Sequence, residues 1–308
     1  MKAETPSRKR CPLLEEGLLL GAHLSISGGV DRALDRAKEL KANSLQIFSQ
    51  NVRSWSTREL KKEELISFRE KYRDFGILFS VIHTSYLLNL ASPKEELWDK
   101  SRRGLLEEVT RADALGIPFI NTHVGAHTGS GREKGLDRVR KALNWISERQ
   151  EFRSAEVKVL LENTAGSGTT LGSSLRELTH ILEGLEYPDR FGICFDTCHG
   201  FAAGYDLSKR QGVGELLEAF KEGPGLKKLN LIHLNDSKGE LGSRKDRHEH
   251  IGKGEIGESG FRAFLSDSQI TNIPLILETP KEKIDDEEAD VVNLRKVRRL
   301  ANAAGGTY

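Results

Sequence analysis

Phe191-Gly-Ile-Cys-Phe-Asp196 is a short apolar run that ends on a carboxylate, and His199 follows it by three positions. A run of this length predicts a strand covered on both faces. Seven other stretches share its character: residues 18–23, 45–49, 77–83, 119–123, 157–162, 229–234 and 274–278. Between them, residues 57–75, 93–115, 133–151 and 173–185 place Leu, Ile and Phe three and four apart among Lys, Arg and Glu, the spacing of helices with one buried face. Ser92 before Pro93, with Glu95 and Glu96 in the first turn, predicts a helix start there. Strands alternating with helices, with no linker or composition shift between them, predict an α/β protein built as a single (β/α)8 TIM barrel. A doubly wound open sheet needs a glycine-rich phosphate turn after its first strand, and Ser27-Gly28-Gly29 is too short for one.

Lys and Arg number 47 against 46 Asp and Glu in 308 residues, which excludes a generally basic coat for nucleic acid. Any anion binding must be local. Cys11, Cys194 and Cys198 make no disulfide framework, and the last two lack the C-x-x-C spacing; they predict reduced, buried thiols and a cytoplasmic protein. Residues 1–16 carry Arg8, Lys9 and Arg10, and their apolar stretch is broken by Glu15 and Glu16, unlike a secretory leader or a membrane span. We expect a flexible tail over 1–16, a barrel domain over 17–308 and no membrane partner.

The chemistry lies at the strand ends. Strands three to eight finish at His83, His123, Glu162, Asp196, His233 and Glu278. In a barrel these ends converge on one face, where catalytic groups of this fold sit. Alone, each reads more simply as a hydrogen-bonded histidine or an ion-paired acid. Six in succession point to a shared centre. His199 lies one turn beyond Asp196, and Asp246-Arg247-His248 brings an acid and an imidazole to one side of an extended chain. Five imidazoles and four carboxylates are too many for one tetrahedral ion, and enough for two or three if a carboxylate bridges. Ligation without thiolate suits zinc, with manganese or iron admissible. Four carboxylates give the bare site a charge of about −4, which repels phosphate, whereas three divalent cations make it about +2. Such a centre predicts phosphodiester hydrolysis.

Taken together these segments resemble the endonuclease IV family, the zinc-binding apurinic/apyrimidinic endonucleases, from about Leu18 to the last helix. The resemblance is carried by residues 23–29 (HLSISGG), 83–89 (HTSYLLN), 161–166 (LENTAG), 195–200 (FDTCHG), 233–236 (HLND), 246–248 (DRH), 251–257 (IGKGEIG) and 277–279 (LET). It implies three zinc ions, with manganese admissible at one position. His83, His123 and Glu162 would hold the first, and Glu162 would bridge to a second completed by Asp196, His233 and Glu278. His199, Asp246 and His248 would hold the third. It further implies that Glu162 and Glu278 are catalytic, that the substrate is double-stranded DNA cut 5′ to an abasic site to leave a 3′-hydroxyl, and that blocked 3′ ends are trimmed. Arg53, Tyr86 and Leu87 would enter the bent duplex and Arg247 would contact phosphate. The enzyme implied is a monomer acting on the nucleoid in the cytoplasm. Val52, Ser54 and Val124 depart from the usual residues of the family. His23 and His127 remain as supports for the ligands, and His180 and His250 read as surface residues. A single-metal sugar isomerase or epimerase on the same barrel accounts for Glu162, Asp196, His233 and Glu278. It leaves His199, Asp246, His248, Arg53 and Tyr86 unexplained. A non-catalytic DNA-binding protein has no helix-turn-helix, zinc finger or basic face behind it.

Overall fold

Every apolar run forms a strand. A computed structural model of the protein describes residues 17–56 and 58–304. In it β1 (Leu20–Leu24), β2 (Ser44–Phe48), β3 (Phe79–His83), β4 (Phe119–His123), β5 (Lys158–Glu162), β6 (Phe191–Asp196) and β7 (Leu229–His233) pair in parallel, each with the next. An antiparallel ribbon of two-residue strands, β8 (Asp236–Ser237) and β9 (His248–Glu249), then leaves the barrel, which β10 (Leu275–Leu277) closes by pairing with β7 and β1. The expected flexible tail over 1–16, with Cys11, lies outside the described residues.

The two-residue period of a strand explains both the core and the position of the site. One phase of each strand faces into the barrel, where Phe79, Val81, Leu160, Cys194, Leu231 and Ile276 form a cluster with Phe119 packed against it. The other phase, including Ile82, Ile120, Leu161, Ile193, Ile232 and Leu275, joins the larger core beneath the helices. Two positions beyond the inner apolar residues, the same phase delivers His83, Glu162, Asp196, His233 and Glu278. The ligand candidates are thus the top layer of a stack whose lower layers are apolar.

The helices are α1 (Arg32–Glu39), α2 (Lys62–Asp74), α3 (Glu95–Leu115), α4 (Arg132–Ser147), α5 (Gln150–Ser154), α6 (Leu175–Glu183), α7 (Thr197–Ala203), α8 (Arg210–Glu222), α9 (Gly257–Phe264), α10 (Ser268–Thr271) and α11 (Ala289–Ala304). Among the described residues, no helix is long and apolar enough to cross a membrane. Three differ from the sequence reading. The second helix starts at Lys62, because Glu64 folds back to accept the Lys61 N–H and pairs with Arg58. The third begins at Glu95 with Lys94 extended before it, and the Ser92 hydroxyl receives the Lys94 N–H in the preceding turn. The stretch 133–151 breaks after Ser147: Arg149 is extended, and the Arg153 guanidinium takes the freed Ser147 carbonyl.

Closure leaves no room at Gly21, which pairs with Ser44 on one side and Ile276 on the other. A Cβ there would run into the Ser44 carbonyl. Gly21→Val is expected to cost at least ~2 kcal/mol through forced strand separation. Urea unfolding checks this, and an unchanged midpoint and slope would show that the seam yields.

Candidate metal centre

All nine groups meet at the C-terminal mouth of the barrel. His83, His123 and Glu162 offer ligand atoms within 4.8 Å of one another, as do Glu162, Asp196, His233 and Glu278, and so do Asp196, His199 and His248. Glu162 belongs to the first two groups and Asp196 to the last two. The Glu162 carboxylate lies 3.2 Å from His83 Nε2, 3.8 Å from His123 Nε2, 3.4 Å from His199 Nδ1 and 3.1 Å from His233 Nδ1. Glu278 Oε2 is 3.2 Å from His233 Nδ1. Asp246 spans the outer group, one oxygen 3.2 Å from His199 Nε2 and the other 3.3 Å from His248 Nε2. The Cys198 thiol also stands beside Asp246 and His248, and burial raises it to about 12, so it stays protonated. Cys194 and Cys198 are free and buried, as reduced thiols should be.

Local structure fixes these side chains. Asp196 caps α7, and its Oδ1 accepts the His199 N–H at 2.8 Å, so one turn carries both groups inward. Backbone carbonyls hold three of the imidazoles from outside. His83 Nδ1 faces the Thr84 carbonyl at 2.8 Å, His199 Nδ1 the Asn163 carbonyl at 3.0 Å, and His248 Nδ1 the Glu278 carbonyl at 3.0 Å. A carbonyl only accepts, so each Nδ1 carries a proton, and in the neutral ring each Nε2 turns its lone pair inward. On His233 the roles reverse, with Nε2 held by Gln46 Oε1 at 2.8 Å and Nδ1 facing the carboxylates. Lone pairs aimed at carboxylate oxygens repel unless a proton or a metal cation lies between them. His248 Nε2 is the clearest instance: it is buried, 3.6 Å from Asp196 and 3.3 Å from Asp246, and has no hydrogen-bond partner. The donor set therefore fits divalent cations of the zinc type.

The charges follow the same logic. Burial pushes the Glu162 carboxyl up, but His123, His233 and His199 outweigh it and hold the group well below the usual carboxylate range. Glu278 behaves likewise, with His233 and then His23 overcoming burial. Burial opposes charge on His199, yet Asp196, Asp246 and Glu162 lift it well above an ordinary histidine. Without a metal, protons on imidazole carry the positive charge that the carboxylates demand, and metal binding releases them.

Around the mouth, Tyr86 is 64% exposed, and its ring centroid lies 5.6 Å from that of His83. Partial burial, then the charges of Glu278, Glu162 and Asp246, push its hydroxyl up to about 12. Leu87 is half-buried, whereas Arg53 and Arg247 are exposed. A cavity of ≈ 320 Å³ lies between Tyr86, His123, His199 and Asp246. Of the remaining histidines, His23 supports the site, with Nδ1 3.3 Å from Glu278. His127 does not; it receives the Gly131 N–H ahead of α4. His180 and His250 are half-buried rather than on the surface, His250 because Asn293 reaches its Nδ1.

Sequence reasoning missed the carboxamides. Gln46 donates to Glu278 at 2.5 Å while accepting from His233, so one side chain on β2 orients two ligand candidates. Asn121 donates to Glu162 at 2.6 Å. Asn235 donates to Asp196 at 2.7 Å and accepts the Glu278 N–H at 2.8 Å. Asn163 exchanges two hydrogen bonds with the Asp196 backbone. Gln46 and Asn121 left a signal: each is a polar residue in the inward phase of an apolar run.

A barrel whose strand ends present imidazoles and carboxylates around shared oxygens defines a metal-dependent TIM-barrel enzyme. A family model described as a xylose isomerase-like TIM barrel matches residues 34–299. The chain is 44% identical over 282 residues to the probable endonuclease 4 of Methanosphaerula palustris, covering 92% of this chain and 98% of that one. The crystal structure of endonuclease IV from Thermus thermophilus superposes with a TM-score of 0.78 at 37% identity, covering 92% and 99%. The chain belongs to the endonuclease IV family. A D-tagatose 3-epimerase-like protein, at 19% identity and a TM-score of 0.71 over 94% and 98% of the two chains, shares the fold.

Loss of the Gln46 carboxamide removes one restraint from His233 and one from Glu278. Gln46→Ala is expected to weaken retention of the ion at the Glu162, Asp196, His233 and Glu278 group by ~10–100-fold. Competition with a chelating dye measures it, and wild-type retention would leave Gln46 a packing residue.

Proposed function

We propose that the chain hydrolyses the phosphodiester 5′ to abasic sites in double-stranded DNA, leaving a 3′-hydroxyl and also trimming blocked 3′ ends, with three zinc ions bound to the nine groups. One observation carries the reading: three ligand groups overlap through Glu162 and Asp196 at a single mouth, too close and too numerous for one ion. On this reading His83, His123 and Glu162 hold the first ion, Glu162, Asp196, His233 and Glu278 the second, and His199, Asp246 and His248 the third. Manganese is an admissible occupant at one position. When bound, such cations supply an acidified water as nucleophile and charge compensation for the departing oxygen.

The protein's own groups do the rest. Glu278, restrained by Gln46 and His23 on Oε1, orients the attacking water in line with phosphorus. Tyr86 and Leu87 from one rim and Arg53 from its neighbour wedge into the duplex, where an abasic nucleotide lacks a stacking partner and is cheaper to turn out. The Tyr86 hydroxyl, with its raised pKa, stays neutral as it enters. Arg247, exposed between Asp246 and His248, contacts the phosphate backbone. The enzyme works as a monomer in the cytoplasm, on nucleoid DNA.

A second reading, a single-metal sugar epimerase, draws on the Glu162, Asp196, His233 and Glu278 group alone. Metal analysis separates the two. About three zinc per chain is expected, and a single magnesium or manganese would favour the epimerase. Glu278→Gln is expected to keep affinity for abasic duplex at matched salt while losing nearly all cleavage. Wild-type turnover in that variant would remove Glu278 from the chemistry.

A further inference from the structure

Asp246 and His248 do not stand on barrel strands. They ride on a segment that leaves β7, turns back through β8 and β9, and returns along the glycine-rich turn 251–257 to α9. The ribbon pairs only Asp236 with Glu249 and Ser237 with His248, so it cannot by itself hold that segment over the mouth. The outgoing limb is held by backbone bonds, Lys238 N–H to the Arg247 carbonyl and Gly242 and Arg244 N–H to the Phe201 and Ala202 carbonyls, and the returning limb is gathered largely by one carboxylate. Asp236 is fully buried, and no Lys, Arg or His among the described residues forms an ion pair with it. Five backbone N–H groups satisfy it instead. Oδ1 accepts from Ser237 at 2.8 Å, Ile256 at 3.0 Å and Gly257 at 3.4 Å, and Oδ2 accepts from Gly252 and Gly254 at 2.9 Å each.

The turn has the shape this wrapping demands. Gly252 and Gly257 take φ of +75° and +68°, and a Cβ on Gly254 would press into the Asp236 carboxyl and the Ser237 carbonyl. Isolated in an apolar interior, a carboxylate is costly; ringed by N–H donors, it makes charge-assisted bonds that the uncharged side chains cannot replace. The turn starts three residues beyond His248, and a second clamp, Asn293 Oδ1 accepting the Ile251 N–H at 3.0 Å, seats its near end. The path of the chain through His248 is therefore set on one side by a buried charge.

We propose that Asp236 is a positioning residue for the outer ligand group: its carboxylate fixes where His248 and Asp246 stand relative to Asp196 and His199, and so governs retention of the ion beside the departing oxygen. This inference rests on the three-ion reading above. Asp236→Asn keeps the size of the side chain but turns an NH2 toward the N–H donors, and Gly254→Ala strains the same wrap while leaving the carboxylate in place. Both variants and the wild type are loaded with zinc and dialysed. Metal content per chain is then read alongside kcat and KM on abasic duplex, with and without added zinc. The expected result is about one ion fewer per chain, kcat lower by at least ~10-fold with KM near wild type, and recovery of kcat as free zinc is raised. Wild-type metal content and kcat in both variants would overturn the proposal. So would proportional loss of all ions that zinc does not restore, which marks a purely structural role. If Asp236→Asn does not fold, Gly254→Ala decides by the same criteria. A wild type holding fewer than three ions sinks the three-ion reading and this inference together, whereas three ions in wild type and unaltered variants sink this inference alone.

Discussion

At the end of β5 the Glu162 carboxylate is buried with no solvent exposure, and four imidazoles approach it within 3.8 Å. Negative charge at that depth must be neutralised locally, because water cannot do it. Much of the mouth follows from this requirement. His83, His123, His199 and His233 come from four different segments because no single element can surround one carboxylate. Asp196 repeats the arrangement one strand over, and the two acids together make the clusters continuous rather than separate.

The scaffold meets the requirement by rigidity below and hydrogen bonding behind. Phe79, Val81, Leu160, Cys194, Leu231 and Ile276 fill the barrel directly beneath the site and keep water from reaching the carboxylates from that side. Behind the ligand candidates, carboxamides and backbone carbonyls leave few of them free to rotate: Asn163 ties β5 to β6, and Asn235 ties Asp196 to the Glu278 backbone. Such preorganisation is what a site with several close ligands needs, since a small shift of one would misplace every ion it shares.

The strands were legible because parallel strands under helices are apolar on both faces, and the ligand candidates because a charged or imidazole side chain at the end of such a run stands out. That same continuity conceals which phase faces inward, so the polar character of Gln46 and Asn121 does not by itself mark them as partners of the ligand candidates. Asp236 was hidden for a different reason. Its partners are backbone N–H groups, which every sequence possesses. The early break of the fourth helix and the late start of the second turn on partners six residues apart, Arg153 with the Ser147 carbonyl and Glu64 with Arg58, a spacing that the three- and four-residue apolar period does not register. His250 was read as a surface residue because nothing nearby in the chain announces Asn293, 43 positions away.

Exposure divides the nine groups unevenly. Side chains of Glu162, Asp196 and His233 are at most 1% exposed, but Asp246 is 55% exposed and His248 18%. Six of the nine stand at strand ends in the ring of the barrel, while His199, Asp246 and His248 belong to connections laid over it. Exposure does not follow that division throughout, since strand-end His123 is 28% exposed and His199 on α7 only 4%, but Asp246 and His248 both sit on the excursion after β7. Changes in the length or composition of the excursion after β7 can therefore shift or remove Asp246 and His248 together without moving a strand, which makes that connection, more than the barrel, the place where the outer edge of the mouth is set.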